Sequence, residues 1–255
     1  MRTLSLAAAV VVLGLAFSVL RVAAQETPPL PRVFWSFEGP FGTIDRAAAQ
    51  RGYQVYKQVC SACHSMNLFH FRDLAGIGYT PEQITAIAAS VQVPGPPNAQ
   101  GQSSPISGKP ADAFPSPFPT EAAAKAAFNG AVPPDMSLMA NAFVGGPSYI
   151  YGILNGFRNP PSGVAVPPGR YYNIYFPGNF IAMPPPLHDS AVTYADGTPA
   201  TVPQMAHDVA TFLYFVANPH VDQRKRIGAH VVLFLVFITG LTYALKRKVW
   251  SEVEH

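Results

Sequence analysis

Two uninterrupted apolar runs bracket this chain, and the patterned segments lie between them. Leu4 to Leu20 forms one run, and Ile227 to Leu245, 19 residues without a formal charge, forms the other. At about 1.5 Å rise per residue the second is just long enough to cross a hydrocarbon core as a helix. Between the runs, apolar positions fall into a helical period twice. Ile44, Ala48, Val55 and Val59 share one face of a helix predicted from Thr43 to Val59. Gly52 inside it costs about 1 kcal/mol relative to alanine, a cost that the close approach of a second helix would explain. Met205, Val209, Phe212, Leu213 and Val216 make a stripe from Pro203 to Ala217, with proline in the first turn and Asn218-Pro219 at the end. A first and a last helix crossing each other would make a compact α domain.

Shorter elements fill the middle. Thr80-Pro81-Glu82-Gln83 has the form of a capping box ahead of Ile84, Ile87 and Val91. Thr120 opens an alanine-rich helix stopped at Asn129-Gly130, and Ser148 to Leu154 makes a further turn stopped at Asn155-Gly156. Val93 to Pro119 holds eight prolines and no regular pattern, and its Ile106, Phe114 and Phe118 predict a packed wrap. Phe34, Trp35, Phe37 and Phe41 form an aromatic cluster expected to pack on the domain. The fold class expected is mostly α, with long proline-rich loops and one C-terminal transmembrane helix.

Charge changes the picture at the two ends. Leu4 to Leu20 follows Arg2 and precedes Val22-Ala23-Ala24, small residues of the kind a signal peptidase reads, so residues 1–24 are expected to be a cleaved signal peptide. Residues 25–222 would then be exported, 223–248 would form the membrane anchor with its basic flanks, and 249–255 would stay in the cytoplasm. The location expected is a bacterial inner membrane, single-pass, with the domain on the periplasmic side. Arg224-Lys225-Arg226 and Lys246-Arg247-Lys248 flank the helix equally, and Tyr243 and Trp250 suit the interface near its end. His230 within the span is expected near headgroup level. The formal charge of +3 is misleading for the domain, because Gln25 to Asp222 carries nine Lys and Arg against twelve Asp and Glu, a balance of −3. An acidic face steers basic partners with a strong salt dependence, and no nucleic-acid partner is expected.

The chemistry sits in Cys60-Ser61-Ala62-Cys63-His64. Two thiols one turn apart can each add to one vinyl group of a porphyrin, which delivers His64 beneath the iron. Half a zinc site is the competing reading, but the chain has no third cysteine. A redox Cys-x-x-Cys would leave the adjacent histidine without a role. Haem c, covalently held by Cys60 and Cys63 with His64 as proximal iron ligand, is the cofactor expected. For the sixth iron position, Met66 follows His64 too closely and Met205 fits the apolar stripe. Met136 and Met139 have core spacing. Met183 instead lies on Ile181-Ala182-Met183-Pro184-Pro185-Pro186, where prolines hold an extended backbone with little entropy left to lose. A buried methionine is the commoner fate of that residue, and His70, His188, His207 and His220 remain alternatives, His188 foremost.

In order along the chain, the residues are similar to a known family. Trp35-Ser36-Phe37 stands with Gly39-Pro40-Phe41-Gly42, and Arg51-Gly52-Tyr53-Gln54-Val55-Tyr56 leads to the cysteine–histidine motif. Asn129-Gly130-Ala131-Val132-Pro133-Pro134-Asp135-Met136-Ser137 follows, then Tyr172-Asn173-Ile174-Tyr175-Phe176-Pro177-Gly178 ahead of Ala182-Met183-Pro184. Asp196-Gly197-Thr198-Pro199-Ala200-Thr201 and Arg224-Lys225-Arg226 close the set. The chain resembles cytochrome c1, the haem subunit of the quinol:cytochrome c oxidoreductase (cytochrome bc1) complex, in its bacterial form. The resemblance implies Met183 as distal ligand and a role in electron transfer, with no catalysis by this chain alone. It also implies cytochrome b and Rieske iron–sulfur partners, a c-type cytochrome as acceptor, and a dimeric complex. A haem subunit of another membrane complex, such as a terminal oxidase, and a sensor or peroxidase with an open sixth site are the competing functions. Where the family commonly carries a basic residue near a haem propionate, the stretch Leu138 to Ala142 is uncharged, with Asn141 at its centre.

Overall fold

A computed structural model describes residues 27–101 and 103–251. The expected signal peptide and the last residues of the tail lie outside that range.

The first helix, α1 (Arg46–Gln58), begins where the Asp45 carboxylate accepts from the Ala48 amide at 3.1 Å, three residues later than the apolar period suggests. Its buried face carries Ala48, Ala49, Gly52, Tyr53, Val55 and Tyr56. It runs directly into a 3₁₀ turn, Cys60–Ala62. A second 3₁₀ segment, Phe71–Ile77, follows, and then α2 (Pro81–Ala89). The capping box is present there: Thr80 N–H donates to Gln83 Oε1 at 2.9 Å, and Gln83 N–H donates to Thr80 Oγ1 at 3.3 Å. The helix stops before Val91, which the apolar spacing had included.

The proline-rich stretch differs from expectation. It contains an antiparallel hairpin, β1 (Gln92–Pro97) with β2 (Ser103–Ser107), whose register is irregular between Pro94 and Pro97. Proline removes ladder donors, so short, exposed edge strands are where it is tolerated. Phe114 packs inside as expected, at 7% exposed, whereas Ile106 lies on the outer hairpin at 40%. Helices α3 (Glu121–Ala127), α4 (Met139–Ala142) and α5 (Pro147–Asn155) follow, then the two-residue strands β3 (Tyr171–Tyr172) and β4 (Phe180–Ile181).

The core is organised by α6 (Val202–Ala217) crossing α1. Phe212 of α6 meets the rings of Tyr53, Tyr56 and Phe69, and Phe114 closes the cluster against Tyr53, Tyr56, Phe69 and Phe71. Gly52 is where the helices touch. A Cβ built there overlaps the Asp208 carbonyl oxygen and lies 2.7 Å from Phe212 Cβ. The crossing also carries a buried ion pair, in which Arg51 Nε and Nη2 donate to Asp208 Oδ2 and Oδ1 at 2.9 and 3.1 Å. Arg51 Nη1 reaches Asp196 at 2.9 Å, and Gln204 donates to both Asp208 oxygens at 3.1 Å. A two-pronged guanidinium pair whose carboxylate has further donors fixes register as well as charge.

Only part of the aromatic cluster packs. Trp35 and Phe37 are buried, the former stacked on His207 and the latter on Tyr214. Phe34 and Phe41 are 85% and 86% exposed, so the expectation that all four pack inward fails for these two. After a tight turn at Asn218, α7 (Val221–Val249) leaves the domain as one 29-residue helix whose apolar stretch is uncovered by the rest of the chain. The fold is mostly α, with little strand and one C-terminal apolar helix long enough to cross a membrane.

Candidate functional site

The site grows from the end of α1. Cys63 and His64 amides both donate to the Cys60 carbonyl, at 3.1 and 2.9 Å, so the backbone closes one tight turn and holds both thiols and the imidazole together. Cys60 and Cys63 are free, not joined as a disulfide. Burial, reinforced by the nearby Cys63, pushes the Cys60 thiol up to about 12. A thioether, which carries no charge, suits such a position better than a thiolate.

His64 is 9% exposed, and its Nδ1 lies 2.8 Å from the Pro134 carbonyl oxygen. A carbonyl only accepts, so Nδ1 carries the hydrogen and the Nε2 lone pair is left for a metal. Burial lowers the imidazole pKa below its usual value, outweighing the Pro134 hydrogen bond and Asp135, and this favours the neutral ring a ligand must be. Tyr56 O–H donates to the His64 carbonyl at 3.3 Å.

Pro134 is held by the residue after it. Asp135 Oδ2 accepts from Ser65 Oγ and the Asn67 amide, both at 2.8 Å, and Oδ1 accepts from the Ser137 amide at 2.8 Å. Leu68 N–H donates to Ser137 Oγ at 3.0 Å, and Met136 N–H to the Ser65 carbonyl at 2.8 Å. Burial opposes ionisation of Asp135, but the donors from Ser137, Asn67 and Ser65 prevail and hold its pKa below the usual carboxylate range. The segment after the histidine and the segment from Pro134 to Ser137 are therefore zipped together. Sequence reasoning quoted Asp135 and Ser137 only as part of a resemblance. An Asp with a small polar residue two positions on is the local signal for a side chain that caps its own turn.

Met183 is half-buried on the segment leaving β4. Asn173 and Asn179 secure that hairpin: Asn173 Nδ2 donates to the Ile153 carbonyl of α5 at 2.7 Å, and Asn179 Nδ2 to the Asn173 carbonyl at 3.1 Å. Of the five described methionines, Met66 and Met205 are fully buried in the core, and Met136 and Met139 pack against it; Met183 stands outside that cluster. Three of the four histidine alternatives have other duties. His70 caps the Phe71–Ile77 segment, His207 stacks on Trp35, and His188 Nδ1 meets the neighbouring Asp189 carbonyl at 3.1 Å. A cleft of about 290 Å³ opens beside Cys63, walled by Ser65, Asn67, Phe118, Ala124 and Val132. Neither His64 nor Met183 is among its lining residues.

The donor set thus fits a covalently held porphyrin: two adjacent free thiols, and a neutral imidazole with its outer nitrogen available. Leu68 and Leu138, beside the zipped segments, stay 66% and 52% exposed, an apolar surface the protein itself leaves bare. Comparison with known proteins agrees. Residues 35–253 match the Cytochrome C1 family. The chain belongs to the cytochrome c1 family. A Saccharomyces cerevisiae relative described as cytochrome c1, heme protein, mitochondrial, is 45% identical over 233 residues, covering 91% of this chain and 75% of the relative. Cytochrome c1 of Rhodospirillum rubrum is 43% identical, covering 87% of each. A Bradyrhizobium diazoefficiens protein named cytochrome b/c1 is 47% identical over 86% of this chain, but the chain spans only 35% of that relative's length. Within this family, Asn141 stands where the resemblance leads one to expect a basic side chain. Its amide donates to the Ala217 carbonyl at 3.2 Å, and its oxygen accepts from Asn218 Nδ2 at 2.9 Å. Here that position ties α4 to the junction of α6 and α7.

Proposed function

We propose that this chain is the membrane-anchored, single-haem electron carrier of a quinol:cytochrome c oxidoreductase, with cytochrome b and a Rieske iron–sulfur protein as its partners in a dimeric complex. It takes an electron from the Rieske protein and passes it to a soluble or membrane-bound c-type cytochrome. Residues 25–222 form the periplasmic domain, residues 1–24 are removed on export, residues 223–248 anchor the domain in the inner membrane, and residues 249–255 stay in the cytoplasm. Cys60 and Cys63 hold the haem through thioethers, His64 is the proximal ligand and Met183 the distal one.

The observation that carries this reading is the His64 ring, fixed by the Pro134 carbonyl so that Nε2 is free, in the same turn as two uncrosslinked cysteines. Held by Cys60, Cys63 and His64, a haem would supply a one-electron iron centre, whose reduced form a methionine sulfur would favour. The chain's own residues do the rest. Tyr56, Pro134 and Asp135 hold the proximal turn, and the proline-stiffened segment after β4 presents Met183. Met183 is favoured as distal ligand because it alone among the five described methionines is free of the core.

The test is optical and electrochemical, on the full chain with its haem in mild detergent. Reduced wild type should bind carbon monoxide poorly, while Met183→Leu should bind it readily and show a lower reduction potential. Rapid carbon monoxide binding by wild type, or an unchanged spectrum in the variant, refutes the ligand assignment. Subunits retained on gentle purification decide between this complex and a terminal oxidase.

A further inference from the structure

Two loop tips beside the base of α7 carry large apolar side chains that the domain leaves in solvent. Phe41, in the Gly39–Gly42 turn, is 86% exposed, and Val144, ahead of Gly145-Gly146-Pro147, is 96% exposed. Single exposed apolar residues are ordinary on any surface. These two differ in where they are held. Lys225, in the first turns of α7, donates from Nζ to the Gly42 carbonyl at 2.9 Å and also to that of Phe37. Asp222 Oδ1 accepts from the Ile44 amide at 3.1 Å. The Phe41 loop is thereby bonded on both sides to the start of the helix. Lys225 precedes Ile227, the first residue of the apolar run, by two positions, a rise of about 3 Å along the axis.

The Val144 loop is tied to the same region by another route. A cleft of about 360 Å³ is lined by Phe37, Gly39 and Lys225 together with Gly145, Pro147 and Ser148. Asn141, three residues before Val144, bonds to Ala217 and Asn218 at the α6–α7 junction. Trp35 Nε1, from the segment ahead of the Phe41 turn, donates at 2.9 Å to Ser148 Oγ in the first turn of α5, which follows the Val144 loop. Both turns use left-handed glycines, Gly39 at φ 71° and Gly145 at φ 89°, so the tips are formed turns. Arg224 and Arg226 are exposed at the same height, where lipid phosphates would lie.

We propose that the Phe41 and Val144 tips sit in the interfacial layer of the bilayer crossed by α7, so that the domain rests on the membrane at three points with a set tilt. The inference rests on α7 spanning a membrane, and it names the lipid surface as the occupant because the tips are continuous with the start of the apolar helix. Apolar side chains dip into the boundary between headgroups and acyl chains while cations stay at the phosphates.

The experiment attaches a nitroxide spin label to F41C or V144C in the full, haem-loaded chain, reconstituted in phosphatidylcholine–phosphatidylglycerol vesicles. Relaxation by oxygen, which concentrates in lipid, is compared with relaxation by a water-soluble nickel chelate. V236C in mid-helix and G163C on an exposed loop serve as references. The expected result is an oxygen-to-nickel ratio at positions 41 and 144 several-fold above that at 163. Ratios equal to that at 163, with 236 strongly lipid-exposed, overturn the proposal and leave the anchor intact. A water-exposed label at 236 instead refutes the anchor, and the proposal falls with it. Protection of 41 and 144 in the assembled complex but not in vesicles assigns the tips to a protein partner and also overturns the proposal.

Discussion

Replacing Gly52 by alanine tests the helix crossing from which the Cys60–His64 turn extends. In an exposed helix the change would stabilise the chain by about 1 kcal/mol, because alanine gives up less backbone freedom on folding. At Gly52 the sign should reverse. The new Cβ overlaps the Asp208 carbonyl oxygen and stands 2.7 Å from Phe212 Cβ, against the roughly 3.5–4.0 Å at which carbons pack. The helices must part by about 1 Å, and neither neighbour yields easily: one is helix backbone, and the other anchors the ring cluster of Tyr53, Tyr56 and Phe69. Overpacking of a close-packed core costs about 3 kcal/mol at the upper end of the usual range. Set against the propensity gain, the net loss is about 2 kcal/mol, or about 4–8 °C in Tm for a domain of this size. The assay is thermal unfolding of the haem-loaded chain in detergent at matched scan rates, with Gly228→Ala as control. Gly228 lies on α7, where a Cβ meets nothing within 4 Å. A Gly52→Ala variant as stable as wild type would refute the close crossing.

Three further outcomes follow from the same geometry. Asp208→Asn removes one of the two carboxylates that pair with Arg51, Asp196 remaining, and should destabilise the domain by about 1–3 kcal/mol at neutral pH, measured by denaturant unfolding. Despite burial, donors from His207, Arg51 and Gln204 hold the Asp208 pKa below the carboxylate norm, so its contribution is complete above about pH 4 and lost as pH falls through the folded value. The gap between wild type and variant should therefore narrow on acidification, and a gap constant with pH would contradict the pairing. Asp135→Ala strands the amides of Asn67 and Ser137 and the Ser65 hydroxyl. It should cost about 2–3 kcal/mol of stability and broaden the haem spectrum by loosening His64, whereas a spectrum identical to wild type would separate Asp135 from the ligand. From the net charge of −3 on residues 25–222, electron transfer to a basic c-type cytochrome should slow with added salt in stopped-flow measurements, and a flat response would remove charge steering.

The two crossing helices and the capping box at Thr80 were legible because each follows from local order: a 3.6-residue period and a four-residue cap. Gly52 was legible too, as a residue whose cost demanded a neighbour. The β1–β2 hairpin was not. Eight prolines between Val93 and Pro119 argue against a ladder, yet an exposed two-stranded edge needs few donors, and Val93 opposite Ile106 is enough to set its register. Phe34 and Phe41 were misplaced for a different reason. Composition marks aromatic residues as core, but Phe34, Trp35, Phe37 and Phe41 lie in a segment with no apolar period to say which of them face inward. Asp135 escaped notice because its partners Ser65 and Asn67 are about 70 residues away, beyond the reach of any local pattern.

The position of Asn141 shows how these pieces constrain one another. A basic residue there would sit beside the last carbonyls of α6 and the first basic turn of α7, with Arg224 and Lys225 already close in sequence. Asparagine instead satisfies one carbonyl and one amide, and so converts the neighbourhood into a neutral brace across the point where the domain meets its anchor. Electron delivery through a tethered domain depends on the angle at that joint, since a one-helix tether without a brace would let the haem edge swing relative to the membrane. The hydrogen bonds of Asn141, Asn218, Lys225 and Asp222 all lie on this joint. If they fix the angle, then Asn141→Ala should leave the haem spectrum untouched while reducing the order of a spin label on the domain relative to the bilayer. The same variant losing its spectrum would mean that Asn141 serves the haem directly.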